Sequence, residues 1–212
     1  MMPLLAAATE RVVGLPCEGC DAVFGGKPDT QAMATIARIA PTGEAGEPLQ
    51  WRGRIRHADG TPAAGVVVYA YHTDASGVYP PDTTGRGRGA HPHGRLRGWA
   101  RSDAEGRFGF DTIRPAAYPG QAIAAHIHAH VIEPERCTYY LDDVNFRDDP
   151  LLASDTTPRE RRGGDGIVDA KRDADGTWLV TRDIVLGLNV PDYAACRTAG
   201  RGTTQDQSAS RR

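Results

Sequence analysis

The chain has 212 residues, 25 Lys and Arg against 27 Asp and Glu, and a formal net charge of -2. That length suits one domain with a core of its own, or one domain with tails. Opposite charges are interspersed and no apolar run approaches the span of a bilayer, so the composition carries neither a nucleic-acid-binding field nor a membrane-spanning helix.

Residues 1–47 read as a partly irregular N-terminal extension. "MMPLLAAATER" has too short an apolar stretch and no basic start for a signal peptide, so a cytoplasmic protein is expected, with export left open. "PDTQAMATIARI" reads as one short helix after Pro28. The cysteines, Cys17, Cys20, Cys137 and Cys196, are too few and too scattered for a disulfide-built scaffold. "CEGC" has the form of half a zinc site or a redox pair, but no second C-x-x-C completes a tetrahedral set, and structural or incidental roles are expected.

Residues 48–196 read as the main domain. Strands are expected in "LQWRGRIRHA" (49–58), "GVVVYAYHT" (65–73), "LRGWARS" (96–102), "GRFGFDTIR" (106–114), "AHIHAHVIE" (125–133), "TYYLDDVNF" (138–146) and "GTWLVTRDIVLGL" (176–188). Each is rich in β-branched or aromatic residues without a helical period, and "ADGTP", "SDAEG" and "DADG" are turn sequences between them. An all-β fold follows, an antiparallel β-sandwich with long loops, in which Trp51, Trp99 and Trp178 serve as core or pocket wall. The basic "GRGRGAHPHGRLRGWAR" (85–101) and the charged "SDTTPRERRGGDG" (154–166) read as surface loops, which leaves His91 and His93 exposed by default. Residues 197–212 read as a disordered tail.

In a strand, His126, His128 and His130 share one face and Ile127, Ala129 and Val131 the other. Same-face neighbours lie about 7 Å apart, close enough for two imidazoles to meet on one ion. Taken alone, an H-x-H pair is more often a solvated strand face than a metal site, and further ligands elsewhere must tip the balance.

With its flanks, "GRFGFDTIRPAAYPGQAIAAHIHAHV" resembles the core signature of the intradiol ring-cleavage dioxygenases, in which a "TI-x-P" strand end leads to a ligand tyrosine and then to H-x-H. Upstream, "GRIRHADGTPAAGVVVYAYHTDASGVYPP" is similar to the family's "DG-x-P-x-x-G" strand pair ahead of a "G-x-Y" tyrosine, and "TYYLDDVNFRDDPLL" to the strand after the histidines. The resemblance implies Fe(III) held by Tyr79, Tyr118, His126 and His128, with His130 outside the ligand set. It implies an enzyme that opens a catechol-type ring with O2 to a dicarboxylate, Tyr118 being the ligand that leaves and helps to accept a substrate proton. Two phenolates and two imidazoles suit a hard trivalent ion better than zinc.

One position departs from the pattern. Ile123 stands where family members carry an arginine beside the substrate ring, so Gln121, Arg95, Arg97 and Arg101 are the expected polar pocket residues. The lack of a long helical N-terminal segment points to the protocatechuate-like branch. Expected partners are a small aromatic diol and O2, with no nucleic acid or membrane, and homo-oligomerisation is left open. Two alternatives stand beside this reading: a metal-free transthyretin-like binding module, whose strand grammar the chain shares, and an iron protein that has lost ring cleavage.

Overall fold

The computed structural model describes residues 11–17, 19–82 and 91–200, of which 197–200 by backbone alone. Its strands are β1 (Arg11–Val12), β2 (Ile36–Arg38), β3 (Pro48–Arg56), β4 (Val67–Tyr71), β5 (Arg97–Arg101), β6 (Arg107–Ile113), β7 (His126–Glu133), β8 (Cys137–Tyr140), β9 (Val144–Phe146), β10 (Ile167–Val168), β11 (Lys171–Arg172), β12 (Trp178–Thr181) and β13 (Ile184–Val185). They form two sheets. One runs β1-β8-β7-β4-β5, with β9 and β10 continuing from β7; the other runs β11-β12-β3-β6-β2, with β13 on β3.

The period-2 pattern decides which faces meet. Along β3, Leu49, Trp51, Gly53 and Ile55 are buried while the residues between them reach solvent, and Trp51 packs edge-on against Phe108 at 5.4 Å between ring centroids. From the facing sheet, Val68, Ala70, Ile127, Ala129 and Val131 enter the same core. Burying each such side chain stabilises the fold by roughly 1.5–3 kcal/mol for the larger ones.

The other face of the β4–β7 sheet is covered as well. Val67, Tyr69, Tyr71 and Ile132 form a second cluster with Val23, and Phe24, Met33, Tyr79 and Trp99 pack against it. Residues 19–33 thus lie over the histidine face of β7, and the Trp99 indole N–H fixes them by donating to the Val23 carbonyl at 3.0 Å.

Several expectations need correction. The sheets are mixed: β3, β4, β6, β7 and β8 pair antiparallel, but β1, β2, β10, β12 and β13 join in parallel. The expected helix in "PDTQAMATIARI" is a single 3-10 turn, Thr30–Ala32, capped by Asp29, followed by β2 on the edge of β6; no apolar face of helical period was there to hold a longer one. "TYYLDDVNF" is two strands, broken at Asp142 and Asp143. The cysteines form two disulfides, Cys17–Cys20 and Cys137–Cys196. The second ties the C-terminal 3-10 segment (Tyr193–Gly200) to β8 across 59 residues, which constrains the unfolded chain by about 4 kcal/mol in a loop-entropy account. Most of the expected tail lies outside the described residues.

Candidate metal centre

Two loops carry the tyrosines, and backbone contacts join them. Thr73 Oγ1 donates to the Ala116 carbonyl (2.7 Å), and the Ala116 N–H donates to the Asp74 carbonyl (3.1 Å). Gly77, at φ +81°, sits so close that a Cβ there would lie 2.0 Å from the Ala117 oxygen. Only glycine permits this approach. As a result the Tyr79 and Tyr118 hydroxyls stand 2.6 Å apart.

β7 brings the imidazoles to the same point. His128 Nε2 lies 2.9 Å from the Tyr79 hydroxyl and 3.3 Å from that of Tyr118, His126 Nε2 lies 3.3 Å from Tyr118, and the two Nε2 atoms are 3.2 Å apart. All four sequence-nominated ligand residues therefore present one donor atom each to a common centre. His126 Nδ1–H donates to the Ala124 carbonyl at 2.7 Å, and His128 Nδ1 faces Asp143 Oδ1 at 2.8 Å. With both Nδ1 protons engaged, both Nε2 lone pairs point inward, the tautomer that metal-binding histidines adopt.

The set fits a cation. Metal–ligand bonds of about 2 Å place neighbouring donor atoms about 3 Å apart, which is the spacing here. Two oxygens capable of becoming phenolates and two neutral imidazoles make a donor set for a hard ion such as ferric iron. Burial, the Tyr118 hydroxyl and nearby negative groups push the Tyr79 phenol well above its ordinary range, so only a strong positive charge would ionise it. Asp143 was absent from the sequence reading. Burial alone would raise its carboxyl, but the attraction of the His128 and His126 rings when these are protonated, with hydrogen bonds from His128 and Tyr140, brings it down to about 2.

A pocket of about 120 Å³ opens on this centre, lined among others by Tyr118, Ile123, Tyr140, Asn145, Thr157 and Arg159. A cavity of similar size is known to take one benzene ring. Tyr118 lines it and Tyr79 is not among its lining residues. Ile123 is in the wall, as nominated. The other nominated pocket residues lie elsewhere, each for a physical reason. Gln121 is exposed just after the Tyr118 turn, Arg95 is paired with Glu44 at 2.5 Å, Arg97 with Asp82 at 2.7 Å, and Arg101 lies beside Gly65. Arg86 and Arg88 fall outside the described residues.

The cation in the wall is Arg159, from the segment expected to be a surface excursion. That segment is drawn in because Asp155, buried, accepts the Ala124 N–H at 3.0 Å and pairs with Arg159 Nη2 at 3.2 Å. Farther along, the Asp142 carboxylate accepts the Arg161 and Arg162 backbone N–H groups, and Arg162 Nη1 donates to the Gly14 carbonyl at 2.8 Å. Asp155 and Arg159 are only four residues apart, but the contacts that carry the segment inward, to Ala124, Asp142 and Gly14, are distant in sequence and leave no local pattern. His93 and His130, read as solvent-facing or peripheral, are both buried.

A dioxygenase family model matches residues 23–186. The 6-chlorohydroxyquinol 1,2-dioxygenase of Cupriavidus pinatubonensis is 32% identical over 194 residues, 80% of this chain and 65% of that protein. The protocatechuate 3,4-dioxygenase beta chain of Burkholderia cepacia is 33% identical over 52% of this chain and 51% of its own. The chain thus spans about half to two thirds of the length of these relatives. Among solved structures, the dioxygenase domain of a dioxygenase–carbohydrate-binding protein fusion from Streptomyces sp. SirexAA-E superposes with a TM-score of 0.57 at 25% identity, covering 70% of this chain and 85% of that one.

Proposed function

The chain belongs to the intradiol ring-cleavage dioxygenases, and on that premise we propose that it opens the ring of a catechol-type aromatic with O2, giving a ring-opened dicarboxylate. The observation that carries this reading is the convergence of the Tyr79 and Tyr118 hydroxyls with His126 Nε2 and His128 Nε2 at the end of a pocket for one ring. These four residues would hold Fe(III), which supplies a Lewis acid for both diol oxygens and a route for electrons between ring and O2.

The protein's own groups do the rest. Tyr118 faces the pocket within 3.3 Å of both imidazoles, so its phenol oxygen is placed to take a proton from an incoming diol while Tyr79 stays behind it. Asp143 and the Ala124 carbonyl hold the two imidazoles in orientation. Ile123 and Pro158 give the ring apolar walls that limit water. Arg159, steadied by Asp155, offers N–H groups to the ring's developing negative charge or to a further polar substituent.

The test is the visible spectrum of purified, iron-loaded protein together with O2 uptake on catechol, hydroxyquinol and protocatechuate. The expected outcome is a coloured protein with phenolate-to-iron charge transfer, about one iron per chain, and ring opening of at least one diol. A colourless iron-loaded protein would sink the ligand set, and a coloured one inert toward all three diols would sink the activity.

A further inference from the structure

The sequence leaves "CEGC" as half of something, because nothing nearby in the chain completes it. The fold brings the missing half from β7. The Cys17 and Cys20 sulfurs and one imidazole nitrogen of His130 all lie within 4.8 Å of one another. His93 closes in from another side: its Nε2 abuts Gly19, the third residue of the motif, so tightly that a Cβ there would sit 2.4 Å away. Its Nδ1 is engaged by the Tyr69 hydroxyl at 2.8 Å, which leaves Nε2 directed at the cysteine loop. Cys20, His93 and His130 are all buried.

We propose that Cys17, Cys20, His93 and His130 form a second metal site, separate from the tyrosine–histidine centre, that takes Zn2+ when the cysteine pair is reduced. Two thiolates and two imidazoles are a zinc ligand set, and bonds of about 2.3 Å to sulfur and 2.0 Å to nitrogen place the ligand atoms about 3.3 to 3.8 Å apart. Cys17, Cys20 and His130 already have ligand atoms within 4.8 Å of one another, and His93, whose ring centroid lies 6.5 Å from that of His130, is the ligand that must move in to complete the set. With four protein ligands and no open position, the site is structural. It pins Cys17 and residues 19–24 onto the sheet, and it touches the first centre indirectly: His93 stacks on Tyr71 at 3.7 Å, and Tyr71 stacks on His128 at 4.5 Å.

The two cysteines are bridged in this structure, so occupancy depends on redox state. A dithiol reductant delivers two electrons and two protons to the bridge, its S–S bond breaks to two thiols, and the reductant closes its own disulfide. Zinc then displaces the two thiol protons. In an oxidising compartment the loop is held by the bridge, and in a reducing one by the metal.

The experiment uses the full chain loaded with iron, either oxidised or reduced with a dithiol and desalted without air, and titrates it with Co2+ followed by Zn2+. The reduced protein is expected to bind one Co2+ per chain, with thiolate-to-cobalt charge transfer that Zn2+ abolishes, while the oxidised protein shows no such band. Only sulfur ligation gives that band, so the readout does not depend on iron binding or ring cleavage. His130→Gln and His93→Gln should each weaken Co2+ binding by more than the ~10–100-fold that changes outside a ligand shell cost. Circular dichroism checks that each variant folds, and Cys20→Ser serves as the sulfur control. A reduced wild-type protein without the band, or unchanged affinity in both folded histidine variants, overturns the proposal.

Discussion

His126 and His128 differ from His130 in what their neighbours do with them, although all three project from one face of β7. The first two have Nδ1 occupied by the Ala124 carbonyl and Asp143, and turn Nε2 toward two phenols at the end of a pocket. The third is fully buried, beneath the cysteine loop and beside Tyr140 and Tyr69. A strand fixes spacing and face, but the loops laid over it decide the chemistry. Residues 73–79 and 114–118 make one environment, and residues 19–24 and 91–93 the other.

The most severe way to break this comparison is to remove each imidazole in turn. His126→Ala and His128→Ala should each abolish iron retention and the visible colour, because each removes a bond to the metal, whereas His130→Ala should keep close to one iron per chain. Metal analysis after gel filtration decides it. Equal iron loss in all three would mean that the two ends of the strand form one site.

Removing a support instead of a ligand should cost less. Asp143→Asn keeps an oxygen to face His128 Nδ1 but loses the charge, so iron affinity or turnover should fall by about 10- to 100-fold, with the colour still present in metal-saturated protein. A competition titration against a chelator measures it. An unchanged affinity would show that the 2.8 Å contact does not tune His128.

These contrasts also mark what could be read beforehand. β3 to β7 lie within two residues of the expected strands, and the four donors are legible because two sit on β7 and two in the loops that follow β4 and β6, in a recognisable pattern. Asp143 and Arg159 were not. Asp143 reaches His128 because the strand after β8 breaks at Asp142 and Asp143, and an acidic pair in "YYLDDVNF" looks like any turn. Arg159 is carried inward by pairings across 31 residues to Ala124 and 148 residues to Gly14, and a charged glycine-rich segment with no pattern of its own reads as solvated. The completion of "CEGC" by His130 is of the same kind, since a contact over more than a hundred residues leaves no local trace.

Among the arginines, position in the fold should outrank position in the sequence. Arg159→Ala should lower kcat/KM by roughly 10-fold, the low end for a charge-assisted hydrogen bond in a partly exposed setting. Arg97→Ala, whose partner is Asp82, should leave kcat/KM within about two-fold. Steady-state kinetics on a turned-over diol separates them. The reverse order would mean that Arg97, and not Arg159, is the cation that meets the substrate.

The smallest effect concerns an imidazole that serves neither centre. His72 is fully buried between the sheets, and both of its nitrogens are satisfied by the protein: Nδ1–H donates to the Thr73 carbonyl at 2.6 Å, and Nε2 accepts from the Thr112 hydroxyl at 2.6 Å. Burial disfavours its charged form and, against the help of the Thr73 carbonyl, lowers its pKa from 6.5 to about 4. As pH falls through 6.5 the unfolded chain takes up a proton that the folded chain refuses until about pH 4, so the stability contributed by the neutral ring is complete above that window and is lost within it. Between about pH 7 and about pH 5.5 the loss should be about 1 kcal/mol. Urea unfolding of the wild type and of His72→Gln across this range tests it, the variant lacking that part of the slope while His91 and His93, also held low chiefly by burial, keep theirs. Parallel slopes in the two proteins would show that His72 can be protonated in place, and would remove the distinction between an imidazole closed off by the protein and those that reach for a metal.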